Sequence, residues 1–131
     1  MTTPICTDAD LNARYGTTNV ARWADLEGTW AEGEAESAEM TARRLLARTR
    51  ATDLVYDRLR ASTLNMNLPL STVPSTLVDV TVRIAGWWLT SARGVTNYDQ
   101  QGNPISRWFT EYRYALDILD KIVAQELRLD L

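Results

Sequence analysis

Polar and apolar positions repeat with the period of an α-helix over most of the chain, and the breaks between those stretches are rich in Gly, Pro, Asn and acidic residues. Thr7 to Gly16 (TDADLNARYG) predicts a short helix. Thr7 caps it, Asp8 and Asp10 sit in the first turn where carboxylates meet the positive helix end, and Gly16 stops it. Thr17 and Thr18 cap a second short helix carrying Val20, Trp23 and Leu26, and residues 27–36 read as a loop. A long helix is predicted over 37–61, with apolar positions on two faces at about 100° per residue. Ala38, Ala42, Leu45, Thr52, Tyr56 and Leu59 form one stripe; Met40, Ala47, Ala51 and Leu54 lie nearly opposite. Either both stripes are covered within the subunit, or the second meets another subunit.

Asn65, Asn67 and Pro69 make 62–73 irregular, although Leu64, Met66, Leu68 and Leu70 alternate as a short extended piece would. Pro74 or Ser75 opens the next helix, which ends near Arg93–Gly94. It is apolar almost all round, with Asp79, Arg83, Thr90 and Arg93 as a narrow polar edge, so it belongs at the centre of a bundle. Trp87, Trp88 and Trp108 are expected to give the core its bulk, and Gly86 lies on the polar edge where another backbone can come close. Gly102, Asn103 and Pro104 mark a loop over 94–105. The last helix runs from about Ser106 to Gln125, followed by a tail in which Leu127, Leu129 and Leu131 alternate with polar residues. The expected fold is all-α: a bundle of three long helices with a short helical N-terminal region and long connecting loops. Residues 1–131 form a single domain without internal repeats.

Composition narrows the chemistry. A chain of 131 residues can bury roughly two thirds of its unfolded surface, so it needs no disulfide or metal to fold. No apolar run approaches the roughly 18 residues of a membrane span, and Met1 to Asp10 does not read as a signal peptide. Histidine is absent, which removes Ser-His-Asp and Cys-His nucleophiles and the commonest zinc and iron sites. Cys6 is the only cysteine, and Asp8 and Asp10 beside it work against a reactive thiolate. No phosphate loop or dinucleotide fingerprint occurs. Asp53 and Asp57 share a helix face but are expected to be neutralised by Arg43, Arg50 and Arg60; Asp79 and Arg83 are spaced for a structural ion pair. No enzyme activity and no cofactor are expected.

The net charge of −3 is mild, but its distribution is uneven. Five Glu and no basic residue lie between Glu27 and Glu39, and six Arg against two Asp lie between Arg43 and Arg60. The Arg residues spread around their helix rather than forming a phosphate-binding face. Trp23 and Trp30, in the N-terminal third, are candidate interface anchors.

Three stretches resemble a known family: TDADLNARYG; PSTLVDVTVRIAGWWLTSAR, which begins after a Pro; and RWFTEYRYALDILDKIVAQELRL, with its Tyr112–Arg113 pair and then Ala115, Leu116 and Leu119. In order and spacing they resemble the head–tail connector, or head-completion, proteins of tailed bacteriophages of the Mu-like and lambdoid type. The chain departs from that pattern at Gln125, where family members often have Gly, which leaves open whether the last helix runs on.

The resemblance implies a structural virion protein. It would form an adaptor ring, usually twelvefold, between the portal and a downstream stopper or tail protein at the head–tail junction, assembled in the host cytoplasm. Its partners would be the portal, the stopper or tail protein and further copies of itself, with DNA only as channel contents and no membrane. The alternatives are another neck or tail-completion (stopper) subunit and a small DNA-binding or packaging-regulatory module. A ring needs two different complementary faces on each subunit. The candidates for that contact are Glu32, Glu34 and Glu36 against Arg43, Arg50 and Arg58, with Met40 and Leu54 from the second apolar stripe. Candidates for portal or neck contacts are Tyr98, Asn103 and Ile105 in the loop, and Leu127, Arg128, Leu129 and Leu131 in the tail.

Overall fold

A computed structural model describes residues 3–61, 68, 70, 72–93 and 107–124. These residues form five α-helices and, among them, no strand: α1 (Asp8–Tyr15), α2 (Thr17–Ala24), α3 (Ala38–Arg60), α4 (Ser75–Arg93) and α5 (Arg107–Val123). The protein is all-α. Tyr98, Asn103, Ile105, Leu127, Arg128, Leu129 and Leu131 lie outside the described residues, as do most of the predicted extended piece and the side chain of Trp108.

The cap of α1 is the one the sequence predicts, but that of α2 is not: Thr17 and Thr18 lie inside the helix, and Gly16 precedes it without a side-chain cap. Thr7 Oγ1 accepts from the Asp10 amide at 3.2 Å while Asp10 accepts from the Thr7 amide at 2.8 Å, a reciprocal capping box. Gly16, at φ +91°, turns the chain directly from α1 into α2. The expected second helix stops at Ala24, short of Leu26. There the buried Asp25 carboxylate accepts from the amides of Gly28 at 3.1 Å and Trp30 at 2.8 Å, reversing the chain and leaving Leu26 exposed. Ser37 caps α3 through the Met40 amide.

α4 is the central element. It packs most extensively against α5 and α3 and also meets α1 and α2. Leu77, Val80 and Leu89 of α4 are fully buried together with Leu11, Val20, Val55, Leu59, Leu119 and Ile122 from the surrounding helices. Each such side chain contributes roughly 1.5–3 kcal/mol. Thr90, expected on a polar edge, is fully buried; its hydroxyl donates to the Gly86 carbonyl of its own helix at 3.1 Å, so it needs no outside partner. Gly86 does accept a close approach, but from a side chain rather than a backbone. A Cβ there would lie 2.6 Å from the ring of Tyr15, which packs edge-on against Trp23 at 5.2 Å. Trp23 is therefore core and not an interface anchor.

The two stripes of α3 fare differently. Met40, Ala47 and Ala51 of the second stripe are buried within the subunit, Met40 at 4% exposure, as the reading in which the subunit covers its own stripes requires. Ala38, Ala42 and Leu45, read as core, are exposed, while Thr52, Tyr56 and Leu59 of the same stripe are buried. The face of α3 turned inward drifts along its length: α4 packs on it most, α2 and α5 also meet it, and the Leu70 amide donates to the Tyr56 hydroxyl at 3.3 Å. Arg44 occupies an inward position at 8% exposure, paired with Asp8 and Glu36 rather than solvated.

Candidate functional site

The reactive groups are confined. Cys6 is fully buried, and burial pushes its thiol up to about 12, with Arg48 lowering it less than burial raises it. Ile5 and Cys6 are pinned to α3: the Ile5 amide donates to Thr52 Oγ1 at 2.9 Å, and Arg48 donates to the Cys6 carbonyl at 3.3 Å. Arg48 also lies 3.1 Å from Asp8. Tyr15 is raised by burial and then by Glu111, whose carboxylate its hydroxyl meets at 3.4 Å and which Arg14 pairs at 3.0 Å. Asp57 pairs with Arg60 at 2.9 Å and Asp79 with Arg83 at 3.2 Å, as the spacing predicts.

Three surface features stand open among the described residues. The first is a hollow of about 810 Å³ built from residues 24–43, where the loop after α2 folds over the start of α3. Trp30 forms one wall, packed on Ala21, Ala24 and Met40, its indole N–H donating to the Glu34 carbonyl at 3.0 Å. Glu27, Glu34 and Glu39 line the hollow, and Leu26, Ala38 and Ala42 give it an apolar side. The second is a groove of about 440 Å³ between α3, α4 and α5, lined by Arg50, Leu54, Ile84, Trp87, Trp88 and Tyr112 among others. Trp87 stacks with Tyr112 at 5.8 Å and tilts against Phe109 at 5.1 Å. The third is the outward face of α5, which carries Arg113, Tyr114 and Lys121 away from buried Ala115, Leu119 and Ile122. Arg83 lies 4.7 Å over the Tyr114 ring.

The predicted contact residues divide between these features. Glu36 is engaged within the subunit by Arg44, and Arg58 by Asp120 at 2.8 Å. Glu32 meets the Thr18 hydroxyl at 3.4 Å. Arg43 lies over Trp88 at 5.3 Å and lines the same hollow as Glu34, so acidic and basic candidates share one face there. Arg50 and Leu54 come together in the aromatic groove. Met40 is the floor behind Trp30. Sequence reasoning assigned Trp87 and Trp88 wholly to the core. Neighbouring residues on a helix point about 100° apart, so a Trp–Trp pair was the signal that one face of α4 is lined by rings at a surface. The Arg113–Tyr114 face was also missed, because Tyr114 reads as one more aromatic in a helical period.

These features define an all-helical protein that presents, among the described residues, an acidic hollow, an aromatic groove and an α5 face carrying Arg113 and Lys121. The family described as Bacteriophage Mu, Gp36 matches residues 6–131. The chain belongs to that family and is a phage protein. No curated protein is significantly similar to it.

Proposed function

We propose that this chain is a structural virion protein, a head–tail adaptor that forms a ring between the portal and the tail or neck and extends the DNA channel. The observation that carries this reading is membership of the Mu Gp36 family over residues 6–131. The surfaces support it: a preformed hollow and an aromatic groove suit protein partners. Its partners would be the portal, a downstream stopper or tail protein and other copies of itself, at the head–tail junction of the virion. Among the described residues no helix is long and apolar enough to cross a membrane.

Residue chemistry favours assembly over catalysis, since histidine is absent and the single thiol is buried with its ionisation opposed. Of the rival readings, a stopper subunit would often contain a β-barrel, and the described residues hold no strand. A DNA-binding module would need a row of free cations on one face; Arg44, Arg58 and Arg60 are ion-paired within the chain, and the α5 cations Arg113 and Lys121 are interrupted by Asp117. The test is co-sedimentation with the intact portal ring encoded in the same genome. A stoichiometric shift of the chain onto the portal is expected; no shift would refute the adaptor reading.

A further inference from the structure

Four large apolar side chains stand exposed among the described residues: Leu26 at 47%, Leu45 at 41%, Leu46 at 40% and Tyr114 at 53%. Leu26 lines the acidic hollow, and Leu45 and Leu46 continue α3 one turn beyond its lining residues Ala42 and Arg43. Tyr114 stands on α5, on a separate face. The charges divide in the same way. Among the described residues Glu27, Glu34 and Glu39 of the hollow have no ion-pair partner, nor do Arg113 and Lys121 on the face that carries Tyr114. Asp117 lies between those two cations on the α5 face and leaves it one positive charge, since Asp120 is paired with Arg58, and Arg83, which lies over the Tyr114 ring, with Asp79.

We propose that the acidic hollow of one copy receives the exposed α5 face of the next copy, with Tyr114 as the apolar anchor and Arg113 and Lys121 opposite Glu27, Glu34 and Glu39. This contact rests on the ring reading and specifies its subunit interface. It is heterologous, joining two faces built from different helices, as ring closure requires. It also moves the contact from the basic half of α3 to α5. Arg43 shares the hollow with Glu34, and Arg58 is already held by Asp120, so neither supplies a free cation on a second face. The loop is set in advance: Asp25 holds the amides of Gly28 and Trp30, and Trp30 holds the Glu34 carbonyl, so little ordering is left for binding. Tyr and Arg together are the residue types that dominate interface energetics.

The experiment uses the full chain carrying Glu39→Cys and Arg113→Cys, treated with a short bismaleimide both as concentrated free protein and bound to the portal. Both sites are exposed, and native Cys6 is fully buried and inert to the reagent. A ladder extending beyond dimers is expected from the double variant, because a heterologous contact propagates. An equimolar mixture of the two single variants should stop at dimers. A second pair checks the charges: Arg113→Glu should weaken self-association about tenfold at low salt, and adding Glu39→Arg should restore it. No ladder in either state, with circular dichroism unchanged, overturns this contact. Portal co-sedimentation of the same variants reads the adaptor function separately, so a chain that binds the portal without laddering refutes the contact alone.

Discussion

Substituting Gly86 by Ala sets two effects of opposite sign against each other. In a helix interior, Ala in place of Gly is worth about 1 kcal/mol in favour of folding. Against it, the new methyl would stand 2.6 Å from Cε2 and Oη of Tyr15 and 2.7 Å from Cζ, where ordinary contact begins at 3.4 Å. The ring would have to retreat about 0.8 Å, the difference between 3.4 and 2.6 Å. It has little freedom to do so, being buried, set edge-on against Trp23 at 5.2 Å and in contact with Glu111 at 3.4 Å. Overpacking of this kind costs about 1–3 kcal/mol, so Gly86→Ala should leave the protein up to about 2 kcal/mol less stable. Tyr15→Leu removes all three obstructing atoms. In that background the same Gly86→Ala change should stabilise by up to about 1 kcal/mol. The coupling between the two sites is therefore about 1–3 kcal/mol, well above the roughly 0.5 kcal/mol expected of independent positions. Urea titration followed by far-UV circular dichroism on the four proteins of the cycle measures it. Equal stabilisation by Gly86→Ala in both backgrounds would refute the claim that this glycine exists to admit the Tyr15 ring.

Further outcomes follow from other contacts. Asp25→Ala takes the carboxylate from the Trp30 amide and leaves the Gly28 amide only its longer bond to the residue 25 carbonyl at 3.4 Å; it should cost about 1–3 kcal/mol in urea titration, with Trp30 fluorescence shifting red; an unshifted spectrum would mean that the loop holds itself. Thr52→Val, close in shape, should cost about 1–3 kcal/mol and speed hydrogen exchange at the Ile5 amide, while Thr52→Ser should not. Cys6 titrates at about 12 when folded against 9.0 as its ordinary value, so its contribution to stability is complete below pH 9.0 and is lost as pH rises toward 12. The loss should run at about 1.4 kcal/mol per pH unit, steeper than in Cys6→Ala. The folded protein should also resist thiol reagents that react stoichiometrically in denaturant.

The helices were legible because each carries its signal locally. Thr7 with Asp10, Gly16, Ser37 and Pro74 mark ends by their own chemistry, and helical periodicity needs no knowledge of the partner. Which face of α3 turns inward was not legible. Ala38, Ala42 and Leu45 are as apolar as Ala47 and Ala51, and only the placement of the helices packed on α3, α4 above all, decides between them. For the same reason the burial of Arg44 was not legible. Its burial depends on Asp8 and Glu36, eight or more residues away in sequence. Of the contact candidates, the acidic loop was visible as composition, but its closure into a hollow depends on the Asp25 turn and on Trp30 reaching Met40. The α5 face escaped notice because a half-exposed Tyr and a buried one read alike until the core is known.

The central position of α4 has a consequence for how the protein is made. Ribosomes extend a chain at about 5–20 residues per second, so α2 leaves synthesis roughly 3–14 s before the end of α4 is complete. During that interval Leu11, Tyr15, Val20 and Trp23 have no core to enter, and helices as short as α1 and α2, eight residues each, do not persist alone in water. The N-terminal third therefore waits as unfolded chain until Gly86 arrives to seat Tyr15 and α5 arrives to bring Glu111. Because α2 packs on α4 as well as on α3, the faces that α1 and α2 help to build are completed only once α4 has been made.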